Sequence, residues 1–365
     1  MEKKENINTL MACRYCPMCR HVCTVGNISF SESDFPRGKA LILYSIFKRV
    51  KEYDEDIVNS IYNCCLCGRC VVNCEGEIYS IPELIKASRR NIVIAKKEPD
   101  AIKKIKKSLI ENDNPYGISK EKGYDSSLKS KAKVLYYMGP DVNFKNHEIA
   151  NAVIRILNHV KEDYTILKNE PDCGKILNLL GYIDDAKDKA KNLFTRIKST
   201  GCDTIILSCP LCFDALKNDY PQWGFGLEPD IKIYHMSEYL YNLHTDRKIK
   251  LNKTNEKITI ADSEYLTIFN NMFEYPRKLI ESSAGHNFIE IKNDKRSILA
   301  TGEAAFFFKG KTFNLGEELG EKICKIAKEA GVTKIATLSA AAKNNLKKCS
   351  DLEVVEISEF VNSLI

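Results

Sequence analysis

At 365 residues the chain is too long for one minimal domain and long enough to bury two or three cores. Its 44% hydrophobic and 28% charged residues exclude wholesale disorder, and the net charge of +6 comes from dispersed lysines without the aromatic-basic pattern of a nucleic-acid surface. No window approaches the ~18 uninterrupted apolar residues of a membrane span, and MEKKENINTLMACRYC lacks the apolar stretch of a signal peptide. A cytoplasmic, reducing location is expected, in which 15 cysteines read as metal ligands or thiols before disulfides.

The first element is a cysteine run, Cys13, Cys16, Cys19 and Cys23, and a second run with the same C-x2-C-x2-C-x3-C spacing follows at Cys64, Cys67, Cys70 and Cys74. Three cysteines at every third position on a tight loop can reach three irons of one cube. The fourth cannot comfortably wrap the same cube, and in two-cluster ferredoxins it ligates the other cluster. One four-iron cluster is therefore expected on Cys13, Cys16, Cys19 and Cys74, and another on Cys64, Cys67, Cys70 and Cys23. Zinc is the competing reading, but zinc knuckles use separated pairs and would leave a cysteine over in each run. Arg14, Arg20 and Arg69 would offset the charge of anionic clusters. Thr24 and Glu75 stand where a proline often follows the fourth cysteine, and Cys65 breaks the spacing and reads as a buried thiol.

Between the runs, residues 31–53 read as a helix capped by Ser33 or Asp34, with Pro36 in its first turn and Ala40, Leu43, Ile46, Phe47 and Val50 as its apolar stripe. Further helices are expected from Ile81 to about Ala95 and from about Pro99 to Glu111, so that 1–111 forms a helical cluster-bearing domain. Asn112, Asn114, Pro115, Gly117, Gly123, Ser126 and Ser127 then break the pattern and predict a linker over 112–132.

Short β-branched runs at 133–139, 164–167, 203–208 and 231–236 alternate with helical stretches, the signature of βαβ units around a parallel sheet. The pattern repeats: 196–217 lies over 325–347, 231–240 over 352–361, and 133–139 over 257–263. The predicted fold is α + α/β, a helical domain followed by two duplicated α/β lobes with parallel sheets, 133–250 and 251–365.

The helix-filled gap between the cysteine runs resembles the α-helical ferredoxin domain of fumarate reductase and heterodisulfide reductase iron–sulfur subunits. EPDCGKILNLLG (170–181), STGCDTIILSCPLCFDALKNDYP (199–221) and IYHMSEYL (233–240) resemble a cysteine-rich "CCG" domain, with its Cys-Cys-Gly motif and later C-P-x-C. Over nearly its whole length the chain is similar to heterodisulfide reductase catalytic subunits and to the iron–sulfur subunits of glycolate oxidase and anaerobic glycerol-3-phosphate dehydrogenase. Against that family, Pro140 replaces the early cysteine, Asp172-Cys173 replaces the Cys-Cys pair, and Cys209 and Cys212 remain. In the second lobe Glu264, Ala300-Thr301-Gly302 and Ser339-Ala340-Ala341-Ala342 stand at the motif positions, so its ligands are lost and a structural role is expected.

The resemblance implies an electron-transfer subunit of a larger, anaerobic oxidoreductase, passing single electrons through two four-iron clusters to or from a flavin-containing partner. Membrane association would come only through a partner. No glycine-rich dinucleotide fingerprint follows a strand, so neither FAD nor NAD is expected on this chain. An alternative makes the chain catalytic, with a third, open-coordination Fe–S cluster or zinc on Cys173, Cys209 and Cys212, completed by Asp172 or His235. A further alternative is a cluster-bearing scaffold without catalysis. Cys202, Cys324 and Cys349 lack partners at ligand spacing and read as small packing groups.

Overall fold

In the computed structural model of the chain, residues 4–76, 80–119, 129–291, 298–349 and 351–365 are described. The N-terminal part is built from helices Lys4–Met11, Pro36–Phe47, Glu55–Asn63, Ile81–Ile94 and Asp100–Asn112. Asp54 caps the third of these by accepting the Ile57 amide at 2.9 Å. Ile81, Leu84, Ile85, Ser88, Arg89 and Ile92 are the buried face of the fourth, at helical spacing.

The inter-run helix is shorter than expected and capped differently. Phe35 occupies the N-cap with no side-chain bond, and Pro36 takes the first turn. Asp34 is buried and bonds instead to Lys39 Nζ at 3.2 Å and Asn63 Nδ2 at 3.1 Å. At the other end Arg49 turns left-handed (φ 59°), which stops the helix. Val50 therefore falls beyond it and is 74% exposed, while Ala40 and Leu43 form the buried stripe.

The expected linker begins as a folded turn. Buried Asn114 donates to the carbonyls of Asn112 and Ile118 and accepts the Tyr116 amide. Residues 120–128 of that stretch, with Gly123, Ser126 and Ser127, lie outside the described residues.

Two parallel sheets follow. Val134–Tyr137 (β1), Tyr164–Ile166 (β2), Thr204–Leu207 (β3) and Lys232–His235 (β4) make the first, in the order β2-β1-β3-β4. Ile258–Ala261 (β5), Lys334–Thr337 (β6) and Glu353–Glu356 (β7) make the second, in the order β5-β6-β7. β1 and β5 are buried at every position, as strands covered on both faces must be.

The sequence repeat is a repeat of register. Val134 pairs with Thr204 and Thr204 with Lys232; Ile258 pairs with Lys334 and Lys334 with Glu353. Phe288 makes one parallel bridge to Ile258 at the place where β2 runs beside Val134. The helix caps match as well: His235 Nδ1 accepts the Ser237 amide, and Glu356 Oε2 accepts the Ser358 amide. One apolar core runs from the helical part into the sheets, where Tyr62 donates its hydroxyl to the Leu180 carbonyl at 3.0 Å.

Candidate functional site

Cys64 closes the Glu55–Asn63 helix, and Cys67 and Cys70 flank the left-handed Gly68. Together with Cys23, from the other run, these three thiols line one hollow, with Lys39 and Arg69 also in its wall. The Gly26 amide reaches Cys23 Sγ at 3.3 Å, and Thr24 Oγ1 lies 3.6 Å from Cys67 Sγ. Burial pushes the Cys23 thiol up to about 12 and raises Cys64 and Cys70, while a hydrogen bond from Cys65 is the first cause that lowers Cys67, to about 7. Arg69 Nε is buried with no hydrogen-bond partner. Asp34, paired with Lys39, and Cys65 line the same hollow; the four run thiols with the Arg69 cation and its unsatisfied donor suit an anionic, sulfur-ligated group, so the residues fit a four-iron cluster.

The first run is more open. Cys16 is exposed and Cys19 buried, and burial raises the Cys19 thiol to about 11, with Cys13 and Cys16 acting on it electrostatically. The Tyr15 amide donates to Cys13 Sγ at 3.4 Å. Cys74 is half-buried, packs against the same core as Cys13, and receives the Gly76 amide at 3.3 Å. Residues 77–79, just beyond, lie outside the described residues. Cys19 and Cys70 are both buried in the same core. Cys65 is buried among Val25, Ala300 and Phe308 and also lines the hollow of the second run, hydrogen-bonded to Cys67.

A cavity of about 560 Å³ opens where the carboxyl ends of the two sheets meet. Cys173, Cys209 and Cys212 line one side and Glu303, Phe306 and Asn345 the other. Cys173 Sγ donates to Cys212 Sγ at 3.0 Å. Tyr137 and Tyr220 hold the thiol-bearing loop through the carbonyls of Pro171 and Cys173. Asp172 lines the cavity; its Oδ1 accepts the Gly174 amide at 2.8 Å, its Oδ2 is buried without a partner, and burial raises its pKa to about 7. Pro140 lies in the wall, and Tyr116, from the expected linker, donates to Asp141 there.

His235 is not part of this lining. Its Nδ1 caps its helix, its ring packs edge-on to Phe213 at 6.1 Å, its Nε2 is buried without a partner, and burial lowers its pKa to about 3. Among the described residues no group of three His, Cys, Asp or Glu side chains is arranged to hold a single metal ion.

The second sheet ends in carboxylates and hydroxyls. Glu264 accepts the Gly302 amide at 3.0 Å and the Thr301 hydroxyl at 2.8 Å. Glu303 accepts from Ser263 at 2.7 Å, its Oε1 has no partner, and burial raises its pKa well above the carboxylate range. Sequence reasoning saw lost ligands here but missed Glu303, although it directly follows the Ala-Thr-Gly triplet that replaces Cys-Cys-Gly.

The helix Lys175–Leu180 links these places. It starts after Gly174, beside Cys173, and at ~1.5 Å per residue its far end lies about 9 Å away, where Leu179 and Leu180 meet Arg89 and Tyr62 next to Cys64. Among the described residues no helix is long and apolar enough to cross a membrane.

No family model matches the chain. It is 29% identical over 252 residues to a subunit of the dihydromethanophenazine:CoB–CoM heterodisulfide reductase of Methanosarcina acetivorans, covering 66% of this chain but only 61% of that protein. The corresponding heterodisulfide reductase polypeptide of Methanosarcina barkeri is 26% identical over 323 residues, 84% of this chain and 78% of that one. One polypeptide of the CoM/CoB fumarate reductase of Methanothermobacter marburgensis is 25% identical over 318 residues, 84% of this chain and 62% of that one. Among solved structures, an aspartate racemase of Picrophilus torridus overlaps 63% of this chain and 91% of its own at 10% identity and a TM-score of 0.32, too loose to carry an argument. The chain's homologues are thus heterodisulfide reductase subunits and related iron–sulfur oxidoreductases.

Proposed function

We propose that the chain is the electron-transfer subunit of a multi-subunit oxidoreductase, carrying two four-iron clusters and exchanging single electrons with a flavin-containing partner. One cluster would be held by Cys13, Cys16, Cys19 and Cys74, the other by Cys64, Cys67, Cys70 and Cys23. The observation that carries this reading is Cys23 of the first run lining the same hollow as three thiols of the second. When bound, such clusters supply one-electron steps at potentials set by charge and hydrogen bonding. The chain's residues would bring the thiols together and set Arg69 and the Lys39–Asp34 pair around the second site. Electrons would be exchanged with the partner at the first run, where Cys16 is exposed and Met11, Tyr15 and Met18 of the same segment are exposed as well.

Spectroscopy of a single variant tests the cross-ligation. Cys23→Ala should perturb the signal of the second cluster and spare the first; perturbation of the first alone would overturn the assignment. Isolation of the native complex should bring down a flavoprotein, and a flavin-free complex would refute that partner.

A second reading is favoured by one observation, the three buried thiols opening into a cavity at the end of the 175–180 helix. There the chain would hold a third cluster and reduce a small substrate. Anaerobic material would then contain about twelve irons rather than about eight. Cys209→Ala would remove the extra irons and the turnover together; electron transfer and iron content unchanged in that variant would reject this reading.

A further inference from the structure

Arg89 is fully buried, at 2% exposure, on the apolar face of the Ile81–Ile94 helix. Its guanidinium donates only to main-chain carbonyls: Ile61 at 3.2 Å, Tyr62 at 3.0 Å, Cys64 at 2.5 Å and Leu179 at 2.8 Å. It also stacks over the Tyr62 ring at 5.1 Å.

Every other buried cation among the described residues has an acidic partner. Lys39 pairs with Asp34, Lys175 with Asp214 and Asp219, Arg277 with Asp262 and Glu290, Lys334 with Glu256 and Glu353, and Lys343 with Glu148 and Glu359. Arg89 has no carboxylate within ion-pair distance among those residues. Carbonyl dipoles solvate a buried cation, but they do not neutralise it, and an unbalanced internal charge is strongly unfavourable. Its shortest hydrogen bond, 2.5 Å, runs to the Cys64 carbonyl, so the missing negative charge is to be sought on the Cys64 side.

We infer that Arg89 is the internal counter-ion of the cluster held by Cys23, Cys64, Cys67 and Cys70, a positioning residue that raises that cluster's reduction potential. The inference rests on reading that hollow as a cluster site. Reduction adds an electron to an already anionic group, and a fixed cation close by in a poorly screened interior favours the reduced state over the oxidised one. Because an arginine stays protonated throughout the working range, this contribution is independent of pH. The same side chain holds the Leu179 carbonyl at the end of the helix that starts beside Cys173, so it also fixes the second cluster against the thiol cavity.

The test uses the full chain prepared anaerobically, with Arg89→Lys and Arg89→Gln beside the wild type, iron counted first and both midpoint potentials then read by EPR-monitored titration. A wild-type chain without iron would defeat the cluster reading itself. Given loaded wild type, Arg89→Gln should lower one potential only, shifting its oxidised-to-reduced ratio about tenfold, which is about 59 mV for one electron. Arg89→Lys, which keeps the charge, should stay close to wild type. If Arg89→Gln fails to fold or loses the second cluster while Arg89→Lys keeps both, the charge is again what matters. Unchanged potentials in Arg89→Gln, equal shifts in both variants, or loss of the second cluster or of the fold in both would overturn the proposal.

Discussion

The two sheets share a register but end in different chemistry. Gly174 and Gly302 hold the same left-handed turn, at φ 81° and 82°, and a Cβ would meet the Ala186 carbonyl oxygen at 2.4 Å in one and Gly316 Cα at 2.8 Å in the other. Around that shared turn, Cys173 is matched by Thr301, the buried cation Lys175 by the buried acid Glu303, and the Cys209–Cys212 pair by Ser339 and Ala342. The backbone frame thus survives a complete exchange of side-chain chemistry. Strand ends are where parallel sheets place their sites, and what is done there is a matter of the side chains grafted on.

The comparison breaks most sharply at Lys175. Removing its charge with Lys175→Met strands the Asp214 and Asp219 carboxylates and should cost about 3–5 kcal/mol, read as a fall in Tm or denaturation midpoint. Glu303→Gln, at the matching position, leaves no charge unpaired and should change stability far less; equal losses would show that the two ends are not electrostatic opposites.

A smaller effect distinguishes the two helix caps. Burial raises Glu356 to about 8 in the folded chain, above its ordinary 4.5. Its contribution is therefore fully present below about pH 4.5 and lost as pH rises through about 8. Glu356→Gln should flatten that decline by roughly 3–4 kcal/mol between pH 5 and 8, measured as the difference in Tm against wild type. His235, neutral in the fold but titrating near 6.5 when unfolded, gives the opposite slope, a rise in stability as pH climbs from 5 to about 7, and an unchanged slope in Glu356→Gln would refute the buried neutral acid.

Smallest are the glycines. Gly174→Ala and Gly302→Ala each force a side chain into a left-handed turn at about 1–3 kcal/mol, with Gly174→Ala the worse because a carbonyl oxygen blocks it. A reversed order in denaturant titrations would mean that the second turn is the more tightly packed.

The sheets were legible because β-branched runs and glycine turns carry local signals, and the repeat was visible in three segments in the same order. The cysteine runs were legible because spacing alone limits what thiols can grip. Asp34 was misassigned as a cap because its partners, Lys39 and Asn63, are brought to it by tertiary folding. Arg89 left one trace in the sequence, a cation on an apolar stripe three residues before Ile92 and four after Ile85, but its meaning needed the carbonyls of Ile61, Cys64 and Leu179 around it.

The central claim is that eight thiolates from two interlocked runs hold two iron cubes. Iron and acid-labile sulfide counted on the anaerobically purified full chain test it most directly. The account predicts at least about eight of each per chain, with zinc in trace amounts. Colourless protein carrying stoichiometric zinc and no sulfide would contradict it.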